Sequence, residues 1–449
     1  MNASVRARRA LRTVAAAAAA ITVLAACSST PSTSTESNGS DQATETESEA
    51  GEEPTDDLLP ALADPLAAEE LAAYGGIARL SAASDCTATL IETGVDDAPA
   101  YLLTAGHCIG LDSEPANRTI VAEEGYGEAR FFDVLGADEA DVVTVPVKQF
   151  EYGTMRGTDV AIVSLDTTLG ELRGLGAVPL SIAADAPSSG LEVVNIAAPV
   201  DGVGEGEMVL RKGECSLGVT TDVLEFKWLW TDAVANDCPG VRGGSSGSPL
   251  IAGDEVVSVV NTTNTGVPAE RGDTCYLGLP CEVSGNEATF VAETSYGVDI
   301  AGVGACFADG VFSLEAEGCP LVTTRLWNVT GGGIYGLEGV DGGGRPAVLE
   351  LNDPDQGEFL LLTNLPIGAG ASCTDPATYA GAQHIDPAAL AAERDAATDT
   401  DTAADADTDA VDGEEWVEPV SIPVELPKEN GFVLACAAIP GQEAAAARF

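Results

Sequence analysis

Two histidines occur in the 449-residue chain, and only His107 stands in a setting suited to chemistry. It lies in Thr104-Ala105-Gly106-His107-Cys108, whereas His384 sits near an acidic tract, outside any motif, and reads as a surface residue. Downstream, Gly243-Gly244-Ser245-Ser246-Gly247-Ser248-Pro249 surrounds adjacent hydroxyls with glycines that let the backbone turn sharply. A serine hydroxyl is a poor nucleophile until an imidazole takes its proton. The imidazole in turn needs a buried carboxylate to fix its tautomer and stabilise its charged form. Asp133, Asp138, Asp141 and Asp159 all lie between His107 and Ser246. Of these, Asp159 opens the apolar run Val160-Ala161-Ile162-Val163, where a strand would carry it to the interior.

The three segments resemble those of chymotrypsin-like serine proteases. Tyr101 to Cys108 is similar to their histidine motif and Gly157 to Val163 to their aspartate motif. Gly243 to Leu250 resembles their nucleophile loop, especially that of bacterial lysyl and glutamyl endopeptidases. The order His, Asp, Ser is also the family's. The resemblance implies a double β-barrel and peptide-bond hydrolysis through an acyl-enzyme, with His107, Asp159 and Ser246 as the triad and a protein or peptide as substrate. It assigns the N–H groups of Gly244 and Ser246 to an oxyanion hole, typically worth about 3 kcal/mol of barrier per donor. It also implies a Cys86–Cys108 disulfide across the loop carrying the histidine, and neither cofactor nor metal. The competing reading is an inactive homologue that serves as a surface binding module.

Some features depart from the resemblance or compete with it. Ser245 stands where the animal enzymes place an aspartate that pairs with a newly cleaved N-terminus, so activity without such cleavage is expected. Gly240, six residues before Ser246, takes the family's pocket-floor position and removes the acidic anchor found in trypsin. Asp273 or Asp299 could supply an acidic floor instead, and Ser258 resembles the residue whose strand pairs with the substrate backbone. Gly243 to Gly247 also fits the Gly-x-Ser-x-Gly elbow of α/β-hydrolases, which would make Ser245 the nucleophile; but an elbow needs a helix after it, and Pro249 and a β-like run follow.

Positioning these residues requires strands. Short apolar runs at Thr87–Ile91, Ala100–Thr104, Val142–Val147, Val160–Leu165, Leu191–Ala197 and Val256–Val260 are separated by Gly, Asp, Asn and Pro clusters, with no sustained helical periodicity. The fold class is therefore all-β. A protease domain is expected over 71–320, closed by a local Cys306–Cys319 bridge. A small β domain over 321–449 follows, with Cys373 and Cys436 placed to staple it and a disordered acidic insertion near 395–415.

The chain carries 20 basic and 72 acidic residues, a formal net charge of −52, which argues against nucleic acid as a partner. Arg6, Arg8, Arg9 and Arg12 precede an alanine-rich run ending in Leu24-Ala25-Ala26-Cys27. Residues 1–26 thus read as a signal peptide, and the ending resembles the lipobox of bacterial lipoproteins, with Cys27 lipidated and anchored to the outer face of the plasma membrane. An ordinary secretory signal is the alternative. Residues 27–70 then hold the lipidated Cys27 and a disordered acidic tether, of which the stretch from 28 to about 60 reaches roughly 30 Å as a flexible coil. Ten cysteines remain after Cys27, an even number suited to disulfides in an oxidising compartment. The protein is expected to act as a monomer.

Overall fold

The computed structural model describes residues 59–110 and 119–321, apart from 156, 205, 226–227, 270–274, 277 and 285–286. Beyond these it describes 326–330, 347–351, 357–366, 373, 375–398, 420–424, 433–441 and 447–448. After a short β1 (Asp64–Pro65) come β2 (Ile77–Ser81), β3 (Asp85–Leu90), β4 (Pro99–Thr104), β5 (Ile120–Glu124), β6 (Glu128–Phe131), β7 (Val143–Thr154) and β8 (Val160–Thr168). Strands β7-β6-β2-β3-β4-β8 form a sheet that closes where β7 pairs with β8, giving a first barrel.

The second half repeats this plan with β9 (Ser181–Ile182), β10 (Glu192–Ala197), β11 (Arg211–Glu225), β12 (Trp228–Asn236), β13 (Pro249–Ala252), β14 (Glu255–Thr263), β15 (Cys281–Ser284), β16 (Glu287–Phe290) and β17 (Ser295–Asp299). The order β10-β13-β14-β17-β12-β11 closes through a β10–β11 pairing, and β15 and β16 extend the sheet beyond β11. The chain is thus an all-β double barrel.

The unbroken apolar run in β4 follows from burial on both faces. Ala100 and Leu102 point into the first barrel's core. Tyr101 and Leu103 alternate with them and join Ile196, Ile251, Val259 and Val298 of the second barrel. The same alternation runs along β8, where Ala161 and Val163 face inward and Val160 and Ile162 face the second barrel. This shared cluster seats the barrels against each other.

The chain joins the fold earlier than residue 71. Within the span expected to be tether, β1 pairs with β11, Leu66 N–H donates to Leu210 carbonyl at 2.9 Å, and Leu66 is buried in the inter-barrel cluster. Cys27 and the rest of residues 1–58 lie outside the described residues. Five disulfides pair Cys86 with Cys108, Cys215 with Cys238, Cys275 with Cys281, Cys306 with Cys319 and Cys373 with Cys436.

After residue 321, strands at Leu326–Thr330, Ala347–Leu351 and Val420–Val424 form one sheet, and Gln383–Ile385, Phe359–Pro366, Val433–Ala438 and Ala447–Arg448 another. The second packs Cys373, Tyr379 and Cys436 against Leu224, Leu229 and Val283 of the barrel. A helix over Pro387–Thr398 takes up the first residues of the expected acidic insertion; 399–415 lie outside the described residues.

Candidate active site

His107 follows β4 on a single 3-10 turn, Gly106–Ile109, which the Cys86–Cys108 bridge ties back to β3. Asp159 immediately precedes β8, the neighbour of β4, and has no solvent exposure. Its Oδ2 lies 2.7 Å from His107 Nδ1, and its Oδ1 accepts the His107 backbone N–H at 2.9 Å. The carboxylate thus holds both ring and backbone. Because a carboxylate oxygen accepts at Nδ1, that nitrogen carries the proton and Nε2 is left as the base. Glycine is required at 106, since a Cβ there would stand 2.1 Å from Thr154 carbonyl and 2.9 Å from Asp159 Oδ1.

Ser246 belongs to the turn entering β13, and this turn is bonded to the barrel that carries His107. Thr87 of β3 donates its N–H to Ser246 carbonyl at 2.8 Å and its hydroxyl to Gly244 carbonyl at 2.9 Å. A Cβ on Gly247 would meet Thr104 Oγ1 and Thr87 carbonyl at 2.1 Å and Ala105 N at 3.2 Å, with φ at +82°. Glycine at 247 therefore lets the loop settle on the end of β4, three residues before His107. Ser246 is partly exposed and donates to Asn261 carbonyl at 3.5 Å, a long contact. Among the described residues, the N–H groups of Gly244 and Ser246 have no acceptor within the chain, while the intervening Ser245 N–H bonds Arg242 carbonyl at 2.8 Å. Two unspent donors thus flank the hydroxyl.

The other carboxylates between His107 and Ser246 are placed differently. Asp133 pairs with Arg130 at 3.1 Å, and Asp138 and Asp141 are exposed in a turn. Ser245 is fully buried and accepts from Arg242 N–H at 3.2 Å; a strand, not a helix, follows it. His384 is half exposed, 3.3 Å from Glu358. The sulfurs of Cys86 and Cys108 lie close to His107 but are joined to each other, so they are not thiolate ligands for a metal.

Three sequence-based assignments of the specificity residues need correction. Ser258 is fully buried, its backbone is paired with Leu250 on one side and Asp299 on the other, and its hydroxyl bonds Val298 carbonyl at 2.8 Å. No strand edge is left there for a substrate. The β13 side of β14 is occupied as far as Val260, which accepts from Gly247 N–H at 2.7 Å, so the edge opens at Asn261 to Thr263. Gly240 faces the N-terminal strand, because a Cβ on it would stand 2.5 Å from Ala63 N. Asp299 caps the turn after β17 by accepting Ala301 N–H at 2.9 Å, at the Ser258 level of the sheet. Asp273 lies outside the described residues.

Sequence reading passed over two residues. Asn261 carries the carbonyl facing Ser246, and Glu225 is a buried carboxylate at the end of β11 whose carboxyl burial pushes up. Its link to this region is Thr262, the residue after Asn261 on β14, whose hydroxyl hydrogen-bonds the Glu225 carboxyl.

No known family model and no curated protein matches the sequence. Among solved structures, the chain is similar to Rv3671c from M. tuberculosis H37Rv in its inactive form, at 16% identity and a TM-score of 0.31, over 54% of this chain and 92% of that one. It is also similar to a thermostable serine protease, AL20, from an extremophilic microorganism, at 16% identity and a TM-score of 0.33, over 52% of this chain and 94% of that one.

Proposed function

We propose that the protein is a serine endopeptidase. Ser246 Oγ attacks the scissile carbonyl while His107 Nε2 takes its proton, and the same imidazole returns that proton to the departing amine. Asp159 holds the imidazole's tautomer and stabilises the imidazolium, and the N–H groups of Gly244 and Ser246 receive the oxyanion. Water then releases the acyl group by the same steps in reverse. The observation that carries this reading is the two-point grip of buried Asp159 on His107, at 2.7 and 2.9 Å, beside a nucleophile turn bonded to the same barrel.

An extended peptide would pair with the open edge of β14 at Asn261 to Thr263. Signal cleavage before Cys27 and lipidation of that residue would place the enzyme on the outer face of a bacterial plasma membrane, acting as a monomer on protein or peptide substrates. Labelling with a fluorophosphonate, followed by peptide mapping, tests the chemistry. Label on Ser246, with hydrolysis of a peptide library by wild type and none by Ser246→Ala, is the expected result. Label on Ser245, or equal cleavage by the variant, overturns it.

A further inference from the structure

A buried carboxylate stands beside the cleft with no part in the chemistry above. Glu225 ends β11 and is 5% exposed. Its Oε1 accepts the Gly278 N–H at 2.8 Å, while its Oε2 has no hydrogen-bond partner among the described residues. The Thr262 hydroxyl acts on the same carboxyl. Thr262 follows Asn261, whose carbonyl faces Ser246, so Glu225 backs the strand edge along which an extended substrate would run.

An unfilled acceptor in a buried site is costly, and proteins keep such groups where something completes them. What is missing here is a donor, and a cationic donor both fills the open lone pair and favours the ionised carboxyl that burial otherwise disfavours. The protein supplies few. It has 20 basic residues to 72 acidic ones, and Arg130, Arg173 and Lys212 each already bridge two carboxylates. Gly278, the residue bonded to Glu225, is itself exposed at the middle of the loop closed by Cys275–Cys281, so the carboxyl lies one hydrogen bond beneath the surface. Lysine and arginine side chains have the length to pass an edge residue and place their charge behind it.

We propose, resting on the endopeptidase reading, that Glu225 is a specificity-determining residue whose Oε2 receives the cationic end of a lysine or arginine side chain on the acyl side of the scissile bond. The acidic floor for which the sequence offered Asp273 or Asp299 is thereby assigned to the end of β11.

The test is a peptide series identical except for Lys, Arg, Gln or Glu at each of the residues before the scissile bond, hydrolysed by wild type and by Glu225→Gln. At one position wild type should favour Lys or Arg over Gln in kcat/KM by about tenfold or more, because the wrong residue leaves the buried acceptor unpaired. Glu225→Gln should lose that preference while cleaving the Gln peptide within about threefold of wild type. An unchanged basic preference in Glu225→Gln, or none in wild type, overturns the proposal. The wild-type series decides alone if the variant does not fold. Hydrolysis without basic preference defeats only this assignment; absence of hydrolysis together with an unlabelled Ser246 defeats the endopeptidase reading and this one with it.

Discussion

Asp159 gives both carboxylate oxygens to one residue, and losing either bond has a distinct effect. In Asp159→Asn the amide oxygen can still accept the backbone N–H of His107, while the amide nitrogen facing Nδ1 favours the wrong tautomer. Such a change should lower kcat by about 10⁴-fold with little change in folding; a variant within tenfold of wild type in a peptide assay would remove Asp159 from the mechanism. Glu225 yields a prediction with the opposite electrostatic sign. Burial raises its folded-state carboxyl above the unfolded value. As pH rises, the unfolded chain therefore loses this proton first, and stability falls until pH passes the folded-state value. Below the unfolded value both states are neutral and the penalty vanishes. Glu225→Gln should thus raise the melting midpoint at pH 8 and raise it less near pH 4, and a gain that is larger at low pH would contradict this. His107, Asp159 and Ser246 could be singled out in the sequence because each lies in a short local motif. Ser258 misled because residue type cannot reveal where β13 stops covering β14; the register places that point at Val260, so the exposed edge begins with Asn261. Glu225 was illegible because its burial depends on Thr262 and Gly278, both far along the chain.

The elements depend on closures that no local pattern encodes. The six apolar runs forecast β3, β4, β7, β8, β10 and β14, and each falls in its strand to within one residue at the ends. The pairings β7–β8 and β10–β11, which turn sheets into barrels, bring together edges set by bulges and turns. A bulge between Phe150 and Tyr152 sends the first ring into the barrel core and the second to the inter-barrel cluster, although residues two apart in a regular strand share a face. The tether boundary was misplaced for a related reason: Leu66 lies in an Ala- and Pro-interrupted stretch without strand or helix periodicity, yet β1 delivers it to a core position. The turn carrying His107 depends on a covalent closure instead. Cys86 and Cys108 are 22 residues apart in sequence, so removing their bond releases a loop whose closure is worth about 3 kcal/mol. The Cys86→Ala, Cys108→Ala double variant should melt roughly 6–12 °C below wild type. Its kcat should fall further than its KM rises, because the bridge orients His107 more than it shapes the β14 edge; equal melting midpoints would show that β3 and β4 hold the turn unaided.

For the whole molecule, charge acts on stability and on substrate capture in opposite directions. A formal net charge of −52 repels itself, and among the described residues several of the scarce cations already hold acidic neighbours: Lys212 lies 2.9 Å from Glu70 and 3.6 Å from Glu214, and Arg130 holds both Asp133 and Glu139. Salt shortens the reach of that repulsion from about 30 Å at 0.01 M to about 3 Å at 1 M, so the folded state should gain as sodium chloride is added. At pH 8 the melting midpoint should climb over this range. Near pH 4, where many carboxylates are neutral, the climb should shrink, which separates charge screening from any general effect of salt on apolar surfaces. The same field draws cationic peptides toward the cleft, and screening weakens that attraction. For a lysine-containing peptide, kcat/KM should therefore fall with salt while the protein becomes harder to melt, and a neutral peptide should show only the stability trend. Parallel responses from the two peptides would mean that steering plays no part, leaving recognition to short-range contacts at the β14 edge.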